Sequence, residues 1–156
     1  ERAVAGEPFA VLLADDFLTD YNPGVTADLV NAFVETGKSQ LSVMPVDVAN
    51  ISQYGIIVPS DDGCGVIGVV EKPRQVDAPS NLASIGRYVL TPDIFDILRV
   101  LPTGTGGEIQ LADALNLHAQ SGLVESNELQ GKRFDCGSVD GFMSASAHEY
   151  AKRLKN

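Results

Sequence analysis

An α/β fold with a mainly parallel sheet and an inserted hairpin is predicted by three observations. Phe9 to Ala14, FAVLLA, is an unbroken apolar run of strand length, the pattern of a strand covered on both faces of a parallel sheet. Residues 25–37, VTADLVNAFVETG, put Val25, Leu29, Val30, Phe33 and Val34 on one helical face, and a further strand from Gln40 to Val46 follows. Strand, crossover helix and strand form the repeating unit of a parallel sheet. From Gly55, GIIVPSDDGCGVIGVVEKP reads as two short strands about the polar turn at Ser60-Asp61-Asp62-Gly63, so a hairpin stands where plain alternation would place a helix.

The remaining elements follow in order. Gly37 is a C-terminal stop for the first helix. Asn81 to Leu90 is a strand. Thr91-Pro92-Asp93 opens a helix through Leu101, with Thr91 as N-cap and Pro92 in the first helical position. A Gly-rich loop, Thr103 to Gly107, leads into a helix from Glu108 to Gln120, in which Ile109, Leu111, Ala112, Leu115 and Ala119 keep a helical period. Extended stretches at Val124 to Leu129 and Gly131 to Asp135 precede a last helix, Val139 to Leu154, which ends basic as the helix dipole favours. With no internal repeat, linker or low-complexity tract, residues 1–156 read as a single domain. The chain opens on ERAVAGEPF without an initiator Met and enters a strand almost at once, which reads as a fragment.

Composition narrows the function classes. Hydrophobic residues make up 44% of 156 residues, and mean hydropathy is near zero, +0.05, as in a globular domain with a real core. No apolar run approaches the roughly 18 residues of a membrane span, and no basic-then-apolar leader opens the sequence. A net charge of −10 argues against nucleic acid, whose phosphates need a basic face. It leaves room for one phosphorylated small molecule, which needs only a local cation or two, or a metal. Two cysteines, Cys64 and Cys136, are too few for a disulfide framework and fit the reducing cytoplasm.

Three places carry candidate chemistry. Glu71-Lys72-Pro73 ends an apolar strand: Glu71 can accept hydrogen bonds from hydroxyls, Lys72 is a point cation for phosphate, and Pro73 ends the strand. Taken alone, such a corner reads as a solvated turn. Asp15 and Asp16 stand at the end of the first strand, where open α/β sheets bind ligands and where a carboxylate suits Mg2+. Strand alternation sends their side chains to opposite sides, so one of the two faces the site. Asp135, in KRFDCGS, ends a second extended stretch and could complete a two-carboxylate site with Asp15. The Thr103–Gly107 loop matches neither the dinucleotide fingerprint nor the P-loop. His118 and His148 lack partners at metal spacing, and Cys136 has no neighbouring base to lower its pKa. A phospho-receiver domain is excluded by spacing, because only about ten residues separate Asp61-Asp62 from Lys72, where a full strand-helix-strand unit would be needed.

In order along the chain, FAVLLADDFL, QYGIIV, GVVEKP, APSNLASIGRYVL, GEIQLADAL and FDCGSVDGFM together resemble the bacterial UTP-glucose-1-phosphate uridylyltransferase family, among the sugar-nucleotide pyrophosphorylases. The resemblance implies a Rossmann-like nucleotidyltransferase fold, of which this chain is the C-terminal lobe. It implies that Asp15 and Asp135 hold a catalytic Mg2+, that Gly55 offers backbone to the sugar, and that Glu71 binds glucose hydroxyls. Lys72 then meets the sugar-linked phosphate, and Ile85 lines the sugar pocket through its main chain. Asp16 receives no role.

The implied reaction joins glucose 1-phosphate and UTP to give UDP-glucose and pyrophosphate. The family's nucleotide-cradling half has no counterpart in the sequence, so the chain is expected to be inactive alone, and the full-length protein to be a homo-oligomer. Two alternatives stand beside this: a non-catalytic sugar-phosphate or sugar-nucleotide binding module, and a pyrophosphorylase of another sugar nucleotide.

Overall fold

The computed structural model describes residues 1–104 and 107–155. Strand β1 (Phe9–Leu12) stops before the apolar run does, with the Leu13 N–H still bonding the Gly86 carbonyl of the neighbouring strand at 2.9 Å before the chain turns at Ala14 and Asp15. The Asp15-Asp16 step then begins β2 (Asp16–Thr19). Helix α1 (Val25–Thr36) ends at Gly37, whose φ of 69° lets its N–H bond the Phe33 carbonyl at 2.7 Å, a left-handed cap that glycine adopts without a Cβ clash. After β3 (Ser39–Pro45) and a 3₁₀ turn come the hairpin strands β4 (Gly55–Pro59) and β5 (Val66–Glu71). The long strand β6 (Leu82–Leu90), α2 (Ile94–Val100), α3 (Leu111–Gln120), β7 (Val124–Glu128), β8 (Lys132–Asp135) and α4 (Val139–Arg153) complete the chain.

The main sheet runs β5-β4-β6-β3-β7, with β1 paired to β6 on the flank opposite β3. β2 and β8 form a separate two-stranded antiparallel ribbon. The α/β class and the inserted hairpin hold. The parallel share of the sheet is smaller than the alternation predicts: β3–β7 pairs in parallel, whereas β6 runs antiparallel to β1, β3 and β4, and β4 antiparallel to β5. The cause is the hairpin, which returns the chain so that β6 enters between β1 and β3 in the opposite sense. β1 and β3 still point the same way, as the crossover through α1 requires.

Helices cover both faces. Leu41, Val43, Ile57, Val69, Tyr88 and Leu90 form the principal core with Ile94, Leu115 and Ala119 of α2 and α3. α1 packs on β3 and β6 from the other side and buries Leu29 completely. Among the described residues no helix is long and apolar enough to cross a membrane.

Two helix starts differ from expectation. Thr91 does not cap α2; its hydroxyl instead meets Ser39 Oγ at 3.1 Å and His118 Nε2 at 3.2 Å, a buried polar demand that outweighs a cap. Residues 108–110 stay outside α3, with Gln110 extended at its N-terminus. Thr105 and Gly106, within the Gly-rich loop, lie outside the described residues.

Candidate functional site

Where the β2–β8 ribbon faces the β4–β5 hairpin, a cleft of about 420 Å³ opens, lined by Asp15, Asp16, Tyr54, Gly55, Glu71, Lys72, Gly86, Tyr88, Gln110, Arg133 and Asp135 among others. It brings together every candidate named from sequence except Ile85. The Ile85 side chain is buried on the α1 side of β6, while its alternation partners Ser84, Gly86 and Tyr88 line the cleft. Ile85 is therefore the one candidate absent from the lining of the cleft.

On the hairpin wall, register places Gly55 directly across from Glu71. Lys72 takes a left-handed backbone (φ 48°), unfavourable for a side-chain-bearing residue by roughly 1–2 kcal/mol. The turn is held by the Lys72 N–H bonding the Tyr54 carbonyl at 3.0 Å. The Lys72 ammonium lies 3.7 Å from Glu71 Oε1, with the two side chains 63% and 48% exposed. So exposed a pair contributes little to stability, and both groups are free to turn toward a ligand.

On the ribbon wall, Asp16 and Asp135 are register partners, and the Cys136 N–H bonds the Asp15 carbonyl at 2.7 Å. The Asp15 and Asp135 side chains converge beside Gly137. A Cβ placed there would stand 3.1 Å from Asp135 Oδ1 and 3.2 Å from Asp15 Oδ2. The glycine therefore leaves open the space between two exposed carboxylates, a donor set of hard oxygens suited to Mg2+.

Asp16, whose role the sequence left open, is buried. Its Oδ2 accepts the Gly86 N–H at 2.6 Å, its carbonyl accepts from Arg87 Nη2 at 3.0 Å, and its Oδ1 is paired with Arg133. Gly86 is required there, since an added Cβ would stand 2.5 Å from Leu13 Cβ and 2.6 Å from Asp16 Oδ2. Asp15 faces the cleft more openly and Asp16 anchors the ribbon; the first strand ends at Leu12 rather than at this pair, so the turn that holds Asp15 before β2, and not alternation along one strand, divides them.

Arg133 and Tyr54 escaped the sequence reading as site residues. Arg133 donates from Nη1 to Tyr54 Oη at 3.2 Å and lies 3.6 Å from Asp135 Oδ2. Burial works against its charge, and the adjacent Asp16 more than restores it, holding the guanidinium above its ordinary pKa. The signal was present in KRFD, where alternate residues of an extended strand put Arg133 on the same side as Asp135.

The histidines lie outside the cleft. His118 is buried and bonds Ser39 Oγ through Nε2 at 3.0 Å. Asp20, His148 and Glu149 place ligand atoms within 4.8 Å of one another. Lys152 already supplies the cation there, 2.7 Å from Asp20 Oδ1 and 3.1 Å from Glu149 Oε1. That cluster clasps α4 to the end of β2.

The chain as a whole is similar to known proteins. The family model described as nucleotidyl transferase matches residues 1–152. A UTP-glucose-1-phosphate uridylyltransferase 2 from Staphylococcus saprophyticus is 46% identical over 151 residues, covering 95% of this chain and 52% of the relative. The crystal structure of an apo UDP-glucose pyrophosphorylase superposes with a TM-score of 0.93 at 41% identity, covering 98% of this chain and 57% of that one. A UDP-glucose pyrophosphorylase complexed with UDP-glucose gives a TM-score of 0.90 at 41% identity, over 97% of this chain and 59% of that one. The chain spans about half the length of the curated relatives it matches.

Proposed function

The chain belongs to the nucleotidyl transferase family, and from that premise we propose that it carries the sugar-phosphate and metal side of a UTP-glucose-1-phosphate uridylyltransferase site. The observation that supports this best is convergence: Asp15, Gly55, Glu71, Lys72 and Asp135 line one cleft, although they come from four separate stretches of sequence.

In this reading residues 1–156 act as a single sugar- and metal-binding unit. Glu71 accepts hydrogen bonds from glucose hydroxyls, and Gly55 presents backbone where a side chain would obstruct the sugar. The Ile85 main chain borders the sugar pocket. Lys72 turns its ammonium to the phosphate of glucose 1-phosphate. That phosphate oxygen is ionised at neutral pH, so its attack on the α-phosphorus of UTP needs no general base. The bond to the new oxygen forms as the bond to the β-phosphate oxygen breaks, and pyrophosphate leaves. The contribution of these residues is alignment and charge stabilisation. Asp15 and Asp135 are the residues that would hold Mg2+, which when bound offsets phosphate charge. The two unpaired cysteines suit a cytoplasmic setting.

Because the chain spans about half the length of its relatives, turnover is assigned to this unit together with the part of the relatives it does not span. Calorimetric titration with UDP-glucose and a pyrophosphate-release assay with UTP and glucose 1-phosphate test the reading. The expected result is Mg2+-dependent UDP-glucose binding that Glu71→Ala weakens, without turnover by this chain alone. Absence of binding, or affinity unchanged by Glu71→Ala, contradicts it.

A further inference from the structure

The geometry points to Arg133 as a positioning residue that sets the spacing between the two walls of the cleft, an inference that rests on the function proposed above. The wall bearing Asp15 and Asp135 is the β2–β8 ribbon, which shares no strand ladder with the main sheet. The facing wall is built on the stretch from Tyr54 into β4 and on its partner β5. Arg133 touches both. Its Nε and Nη2 hold Asp16 Oδ1, and Nη2 lies 3.6 Å from Asp135 Oδ2. Nη1 donates to Tyr54 Oη at 3.2 Å, and Cζ lies 5.3 Å from the centre of the Tyr54 ring.

Tyr54 passes this constraint on. Its carbonyl accepts the Lys72 N–H at 3.0 Å, and the next residue, Gly55, sits opposite Glu71. A continuous chain of contacts thus links Asp135 through Arg133 and Tyr54 to Lys72 and Glu71, joining the carboxylate pair to the sugar-phosphate contacts. Asp16 already balances the charge of Arg133, and only 11% of the arginine side chain is exposed. The guanidinium is therefore committed to geometry rather than to a phosphate. Only a planar fork can serve both sides at once; a lysine ammonium offers a single point of charge.

The test is a pair of variants. Tyr54→Phe keeps the Asp16–Arg133 pair and removes the acceptor of Nη1; Arg133→Lys keeps the charge and removes the fork. Amide hydrogen exchange by NMR and titration with glucose 1-phosphate in the presence of Mg2+ are the readouts. For Tyr54→Phe the Lys72 amide is expected to exchange roughly tenfold faster, while the amides of Leu41 and Tyr88 are unchanged. Glucose 1-phosphate affinity falls by a similar factor at an unchanged melting temperature, which a purely structural role would not produce. Arg133→Lys does not rescue; should it fail to fold, Tyr54→Phe decides alone. Unchanged Lys72 exchange in Tyr54→Phe overturns the proposal, as does unchanged affinity in a chain that binds glucose 1-phosphate. If the unmodified chain binds neither glucose 1-phosphate nor UDP-glucose while Lys72 exchange still responds, the proposed function falls and the positioning role stands.

Discussion

Gly55 lies directly opposite Glu71, so close that a Cβ on Gly55 would stand 2.9 Å from Glu71 Oε2. The glycine is what allows the carboxylate to rest over the strand. Because the atom displaced is the end of a flexible side chain, Gly55→Ala is expected to shift Glu71 at little cost to folding. UDP-glucose affinity should fall roughly tenfold, the loss of about one charged hydrogen bond. Calorimetry beside a thermal melt checks this, and a large drop in melting temperature with affinity preserved would contradict it.

Gly137 plays the matching part on the ribbon wall. An alanine methyl there would enter between Asp15 and Asp135, 3.2 Å and 3.1 Å from their carboxylate oxygens. Gly137→Ala is expected to weaken Mn2+ binding, read by electron paramagnetic resonance, by tenfold or more. Unaltered Mn2+ affinity would show that the space beside Gly137 is not the metal position.

Asp16 and Asp135 are register partners with different work, and their neutralised forms should separate it. Asp16→Asn leaves the Arg133 guanidinium without its buried partner and is expected to destabilise the fold by roughly 3 kcal/mol, measured by urea unfolding. Asp135 is exposed, so Asp135→Asn should leave stability nearly unchanged while reducing metal affinity. The opposite ranking would reverse the two assignments.

How far the sequence carried these conclusions varies by element. The helix over residues 25–37, the hairpin and the last helix were legible because apolar period, turn residues and a glycine stop all agree locally. The antiparallel placement of β6 was not, since strand direction within a sheet depends on where a distant hairpin returns the chain. Glu71, Lys72, Asp15 and Asp135 stood out by residue type at strand ends. Arg133 and Tyr54 did not, because their contact spans 79 residues of sequence and neither residue is unusual where it stands. Thr91 shows the same limit in reverse: its position suits an N-cap, but tertiary contacts with Ser39 and His118 claim its hydroxyl.

His118 predicts a pH response away from the cleft. Burial holds its pKa below the ordinary 6.5, against a smaller opposing pull from Asp93. The unfolded chain therefore takes up a proton that the folded chain refuses. Stability from this group is complete above about pH 6.5 and declines as pH falls below it. Urea midpoints measured between about pH 8 and 5 should show that decline, and His118→Leu should flatten it. An identical slope in the variant would remove His118 as its source.

The most direct test of a shared sugar-phosphate and metal cleft is anomalous diffraction at the manganese edge from crystals grown with Mn2+ and UDP-glucose. The predicted map has a manganese peak roughly 2 Å from carboxylate oxygens of both Asp15 and Asp135, with glucosyl hydroxyls on Glu71 and the phosphate near Lys72. A peak at Asp20, His148 and Glu149 with none beside Gly137, or a sugar bound away from Glu71, would contradict it.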